Sequence, residues 1–246
     1  MSEIEYKRVN LLRQNYERKY ALLFGKLLNR QFKAVADRVT GSNYSEPPVY
    51  VNDKDMEKLF VALYSNVGTD FARQTYKTTK AKGDDEMIDH WMQYMAEYAR
   101  TKAGERVKSI TSMTKEQIRR IIGAALDAAT EEGLGAEETA RKIRTALKAE
   151  GEAMNTWRAL RIARTEVMTA SNAGSLQGAK DLQMPMDKIW IATLDDRTRD
   201  SHAVMNNVAV DINEKFDNGM DCPGDPAGGP GEVINCRCTV AYKMRR

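Results

Sequence analysis

Apolar residues recur three or four positions apart through most of the chain as far as Leu182, and from Lys188 that spacing gives way to alternation. A period near 3.6 buries one stripe of a helix, whereas a period of two buries one face of a strand. The change therefore marks where one kind of secondary structure yields to the other. The chain is read as α+β: a mainly helical N-terminal region followed by a small α+β C-terminal domain with a short β-sheet.

Between Glu3 and about Val39, residues Leu11, Leu12, Tyr16, Tyr20, Leu23, Leu27 and Leu28 share one face of a long amphipathic helix, which Gly41-Ser-Asn-Tyr-Ser-Glu-Pro-Pro48 ends. Asn52 or Asp53 can cap a second helix through Tyr76, with Met56, Phe60 and Leu63 or Tyr64 on its apolar face. Gly83-Asp84-Asp85 separates it from a third, which carries Ile88, Trp91, Met92, Met95 and Tyr98. Thr114-Lys-Glu-Gln117 has the form of a capping box ahead of Ile118, Ile121 and Ile122, and Gly133 supplies a C-terminal stop. A short helix over Glu137 to Lys148 and a long one from Asn155 to about Leu182 follow. Strands are expected around Ile189 to Thr193, over Val208 to Ile212 and over Val233 to Tyr242. Asp217 to Gly231 holds five glycines and three prolines and reads as a loop.

Composition removes several function classes. With 42% hydrophobic and 30% charged residues, 246 residues can bury a real core. No apolar run reaches the roughly 18 to 20 residues that span a bilayer, and the N-terminus lacks a basic region followed by an apolar one, so synthesis in the cytoplasm without a membrane partner is expected. Thirty-eight basic against thirty-five acidic side chains leave a net charge of +3, which gives no polyanion-binding stripe. Three cysteines, all after residue 221, are too few for a disulfide scaffold.

The chemistry-bearing residues concentrate in Trp190-Ile-Ala-Thr-Leu-Asp-Asp-Arg-Thr-Arg-Asp-Ser-His202, Cys222-Pro-Gly-Asp-Pro226 and Gly231-Glu-Val-Ile-Asn-Cys-Arg-Cys238. Neither a helical nor a strand period accounts for their spacing. His202, Cys222, Cys236 and Cys238 form a complete one-histidine, three-cysteine set for tetrahedral zinc. Against it, a Cys-x-Cys pair on a regular strand puts its side chains about 6 to 7 Å apart, awkward for chelation unless the backbone bends. The alternative is that the thiols fill the core as small apolar groups. Asp195, Asp196, Arg199 and Asp200 flank His202 and could supply partners for hydrolysis, but charges so dense are more often a solvated loop, and no nucleophile or metal carboxylate cluster accompanies them. Arg164 and Glu166, two apart on a helix, diverge by about 200° and each needs its own partner. Arg164, Arg197, Arg199 and Arg237 suit either an intersubunit contact or an internal polar network. Asn235 is suited to close a turn before the last strand. Among the N-terminal helices, Phe24, Phe32, Trp91, Tyr94 and Tyr98 could stack on nucleic bases, although aromatics at helical spacing are more often core; the apolar faces of this arm are expected to be buried against another copy or a partner rather than in a self-contained bundle.

Together with Ala163-Arg-Thr-Glu166, these segments in this order resemble the phage Mu protein F-like head morphogenesis family, the minor capsid proteins of tailed phages. The resemblance covers the last third to half of the chain, so residues 1–110 are expected to be a helical arm with an interaction role and 111–246 the family domain. It implies a structural protein of the virion rather than an enzyme. Such a protein would be made in the host cytoplasm, lodge in the capsid interior near the portal vertex, and assist head morphogenesis and DNA packaging or ejection. Implied partners are the portal protein and/or the major capsid protein, with self-association and weak or indirect DNA contact. No cofactor is required, and zinc is an option at the His/Cys set. The residues carrying the resemblance are Arg164, Glu166, Trp190, Asp196, Arg197, Arg199, His202, Asn235, Cys236, Arg237 and Cys238. Where relatives usually have glycine after the His helix, this chain has Asn206-Asn207, asparagine being the next best residue for positive φ. The alternative is a metal-dependent hydrolase or toxin-like effector related to the same domain, although a separate effector domain is not expected after Arg246.

Overall fold

The computed structural model describes residues 3–79, 85–102 and 104–245. Helices come first: α1 (Glu3–Ala36), α2 (Asp53–Thr79), α3 (Ile88–Lys102), α4 (Gly104–Glu131) and α5 (Ala136–Lys180). Then follow β1 (Met186–Ile191), α6 (Asp200–Ala203), β2 (Ala209–Asp211), α7 (Gly229–Val233) and β3 (Thr239–Met244). The expected class, a helical N-terminal region followed by a small α+β part with a short sheet, is the architecture found.

Local signals set several helix ends. Asn52 Oδ1 accepts the Lys54 N–H at 3.0 Å, capping α2. After α4, Gly133 takes φ +63°, and the N–H groups of Leu134 and Gly133 donate to the carbonyls of Ala129 (3.0 Å) and Thr130 (3.1 Å). Of the expected break at Gly83-Asp84-Asp85, the first two residues lie outside the described residues, and Asp85 opens a single 3-10 turn.

Three expectations are corrected. Thr114 caps no helix: α4 begins at Gly104, and Thr114 donates back to the Ile110 carbonyl at 2.7 Å from within it. Val107 and Thr111 continue the buried stripe of Ile118, Ile121 and Ile122, so tertiary burial outweighs a local capping pattern. The two helices expected between Glu137 and Leu182 are one, α5. Gly151 does not interrupt it; a Cβ there would come within 2.6 Å of the Phe32 ring, so the glycine admits a close approach worth more than its cost of about 1 kcal/mol in a helix. Finally, the last strand starts at Thr239 rather than Val233, because Asp225 accepts the N–H groups of Asp221 (2.7 Å) and Ala227 (3.0 Å) and so folds the Pro-Gly stretch into a turn that leads into α7.

The chain forms two compact units from interleaved stretches: Met1–Lys19 with Phe60–Ala103 and Ala163–Arg246, and Tyr20–Leu59 with Gly104–Ile162. Neither coincides with residues 1–110 or 111–246. In the second unit, Phe32, Val35, Val39 and Val51 close over Ile118, Ile121, Ile143 and Leu147. Phe24, Phe32 and Trp91 are all buried, whereas Tyr94 is exposed.

The first unit carries the motifs. There α2 and α5 meet backbone to backbone: a Cβ on Gly174 or Gly178 would collide with the carbonyl oxygen of Gly68 or Ala72. The sheet is antiparallel in the order β2-β1-β3, with Lys188 of β1 opposite Val210 on one side and Tyr242 on the other. Met186, Lys188 and Trp190 alternate onto the buried face of β1.

Candidate functional site

The turn after β1 is built by its own polar side chains. Asp195 Oδ1 accepts the Arg197 N–H at 3.1 Å, Thr198 donates its hydroxyl to the Thr193 carbonyl, and α6 follows. Beyond α6 the Asn207 N–H donates to the Trp190 carbonyl at 2.8 Å, with φ +66° at Asn207, the conformation expected of asparagine there. This return delivers His202 into the core at 1% exposure, edge-on to Trp190 with ring centroids 5.3 Å apart. Trp190 meets Phe216 at 5.2 Å on another side.

The second turn supplies the thiols. Asn235 takes φ +58° and donates its N–H to Thr165 Oγ1 on α5 at 3.1 Å, while the Cys236 N–H donates to the Val233 carbonyl. Cys236 and Cys238 therefore precede the regular strand, on a bent backbone. Their Sγ atoms stand 3.6 and 3.4 Å from His202 Nδ1. On the other side of the imidazole, Glu232 Oε2 lies 2.8 Å from Nε2, an ion-pair distance with the oxygen off the ring N–H axis. The hydrogen bond from Cys236, reinforced by His202, holds the Cys238 thiol below its usual range. The same contact and burial push Cys236 up. Cys222 is not brought to this centre. It packs with Ala72, Trp91 and Leu182, where burial pushes its thiol up, and it behaves as a small apolar residue. The four-residue set of the sequence thus becomes three.

Beside these turns opens a cavity of about 720 Å³ lined by Tyr6, Arg13, Glu17, Arg164, Arg199 and Arg237, among others. Arg237 lies between the two inward cysteines in sequence, yet faces this space and chelates Asp195 with two bonds of 2.6 Å, which hold the Asp195 carboxyl below its usual range. Arg199 donates to the Ile234 carbonyl at 2.6 Å. Arg164 pairs with Glu17 at 3.6 Å, and burial raises the Glu17 carboxyl against that attraction. Arg197 also lines the cavity, with Asp195 and Asp196 at 3.9 Å. Glu166 turns the other way, buried, and accepts the Tyr64 hydroxyl at 2.7 Å.

The cavity residues contributed by α1, among them Tyr6, Arg13 and Glu17, were not singled out from sequence. Arg13 is 2% exposed and donates to Ser171 (2.7 Å), Asn172 (2.7 Å) and Thr239 (3.1 Å), while burial lowers its guanidinium to about 10. Its position was readable: Arg13, Tyr20, Phe24, Leu27 and Leu28 continue one buried helical stripe. Glu232 carried no comparable signal.

Residues 120–241 match the family described as phage Mu protein F like protein. Over this stretch, just under half of its length, the chain is similar to that family. The Mu F-like stretch contains every motif residue described above, together with the turns that shape them. A second likeness is to a protein of Enterococcus faecalis (strain ATCC 700802 / V583) named NAD(+)--arginine ADP-ribosyltransferase EFV, 37% identical over 91 residues. That match takes in 33% of this chain and 18% of the Enterococcus protein, so the chain spans well under two thirds of its relative. No solved structure matches.

Proposed function

We propose that this protein is a minor head protein of a tailed phage that docks at the portal vertex or the inner capsid wall and assists head morphogenesis and DNA packaging or ejection. It acts by binding, not by turnover. The observation that carries the reading is the Mu F-like match over 120–241, a family of phage head proteins. The geometry supports it in one respect: several polar motif residues are turned toward an open cavity whose lining includes five arginines and one glutamate. Such a surface suits an acidic segment of a partner, since guanidinium groups grip carboxylates in pairs of parallel bonds. Among the described residues no helix is long and apolar enough to cross a membrane.

The test is co-expression with the portal protein of the same phage and measurement of the complex by size-exclusion chromatography with light scattering. A complex of defined mass is expected. A chain that remains free with both the portal and the major capsid protein would overturn docking. The Enterococcus relative's name concerns ADP-ribosyl transfer, but a match to 18% of that protein gives no ground for placing the activity here. Replacing His202 with Ala separates the classes: an enzyme would lose turnover while folded, whereas a binding scaffold would lose stability.

A further inference from the structure

We propose that His202, Cys236 and Cys238 hold one zinc ion, with Nδ1 of the imidazole and the two sulfurs as ligands and Glu232 as the carboxylate that orients the ring. The inference does not depend on portal docking. Three geometric observations carry it. First, the spacing fits. Tetrahedral zinc with sulfur at about 2.3 Å and nitrogen at about 2.0 Å requires sulfur and nitrogen to be about 3.5 Å apart. Here the separations are 3.6 and 3.4 Å. The ligand atoms of all three side chains lie within 4.8 Å of one another.

Second, the imidazole has the divided role of a metal ligand. Nδ1 faces both sulfurs while Nε2 faces Glu232 Oε2 at 2.8 Å, and Ser201 donates to that same oxygen at 2.9 Å. A zinc-bound histidine typically donates its second N–H to a carboxylate, and Glu232, at ion-pair distance from Nε2 though off the ring N–H axis, is the group placed to take that role. Third, charge and burial agree. The three residues are 1–3% exposed, and two thiolates with a neutral imidazole exactly neutralise a divalent ion, so the loaded centre carries no net charge into the core. Soft sulfur with imidazole in a tetrahedral set selects zinc over the hard oxygen-seeking cations. The bend at Asn235 removes the objection that Cys-x-Cys is too extended to chelate. Three protein ligands leave the fourth position to a water molecule. Binding displaces the thiol protons of Cys236 and Cys238 to solvent and changes no oxidation state.

The chain should be purified reduced, without a histidine tag, from medium containing zinc, and its metal content measured by mass spectrometry. About one zinc per chain is expected. C222S should retain it, and C236S and C238S should lose it. Should those two variants fail to fold, the wild-type chain still decides the matter. Cobalt added after chelator treatment should give the thiolate-to-cobalt absorption and the intense visible bands of a tetrahedral site, and zinc should slow alkylation of Cys236 and Cys238 at least tenfold. A folded wild-type chain with neither zinc nor a cobalt spectrum would overturn the proposal. So would zinc retained by both C236S and C238S but lost by C222S, or a Cys236–Cys238 disulfide in the protein isolated from a reducing cytoplasm.

Discussion

His202, Cys236 and Cys238 are sealed in the core, whereas Arg199, Asn235 and Arg237, their near neighbours in the chain, line an open cavity. Both sets come from the same two turns. Along Cys236-Arg237-Cys238 the side chains alternate inward, outward, inward, so a tripeptide contributes two groups to the core and one to a surface. The lesson is that adjacency in a motif does not imply a shared task. Two kinds of constraint, one on folding and one on contact, are written into the same few residues. If so, substitutions in the two sets should separate stability from binding.

The largest effect is expected from Trp190→Ala. The indole is fully buried between His202 and Phe216, and removing a core tryptophan costs about 3–5 kcal/mol. Chemical denaturation should show the midpoint fall by that amount, and partner binding should fail together with the fold. A stable Trp190→Ala chain would show that the sealed set is not what holds the cavity in place.

Arg13 belongs to both sets, being buried and yet part of the cavity lining. Arg13→Met keeps the apolar stem but abandons the bonds to Ser171, Asn172 and Thr239. Thr239 still donates to Asn172 at 3.3 Å and Ser171 to the Met168 carbonyl at 2.9 Å, so the loss of the charge-assisted bonds costs about 1–3 kcal/mol, measurable by the same denaturation experiment. Binding of an acidic partner should weaken as well. A variant that loses only one of the two properties would assign Arg13 to that set alone.

A smaller effect of opposite sign is expected at Lys188. Its ammonium is fully buried on β1, 5.3 Å over the Phe216 ring, and finds no hydrogen-bond acceptor among the described residues. Burial lowers its pKa, while Asp221 and Cys222 oppose the shift. Lys188→Met should stabilise the fold by about 1 kcal/mol at neutral pH. The sign with pH follows from proton counting. Above the depressed folded pKa the unfolded chain binds more protons, so the native protein gains stability as pH rises toward the ordinary lysine value. The advantage of Lys188→Met should shrink over that interval and vanish above it. A constant advantage would mean that packing, not charge, is responsible.

Lys188 also shows where sequence reading reaches its limit. In the structure Lys188 alternates with Met186 and Trp190 onto the buried face, although residue type argues for exposure and the expected strand began only at Ile189. The Tyr20, Leu27 and Leu28 part of the α1 stripe, the Ile118, Ile121 and Ile122 part of that of α4, the cap at Asn52 and the stop at Gly133 were legible because each rests on local chemistry or on a repeat, whereas Leu11 and Leu23, read onto the apolar face of α1, are exposed. The join within α5 was not, since it depends on Phe32 meeting Gly151 from far along the chain. At the site, sequence named His202, Cys236 and Cys238 but grouped Cys222 with them, because counting ligands cannot tell which loop returns to which side of the sheet. Glu232 was missed for the same reason: α7 replaces an expected loop, and only the folded turn sets its carboxylate beside the imidazole.

The smallest stability effect and the sharpest test of the comparison meet at Arg237. Its two bonds to Asp195 join partly exposed partners, and pairs of that kind contribute about 0–1 kcal/mol once screening is counted. Arg237→Ala should therefore leave the denaturation midpoint nearly unchanged. What it removes is a charge from the cavity lining, with Asp195 left to repel an acidic segment. Loss of the portal complex in light scattering, with the fold intact and the flanking cysteines still slow to alkylate, is the expected outcome. A complex that survives Arg237→Ala and also Arg199→Ala would move the contact surface away from the cavity. Both sets would then be assigned to the architecture of the domain. Equal losses of stability and binding would instead merge the two sets, and the alternation through Cys236-Arg237-Cys238 would be a single constraint on folding.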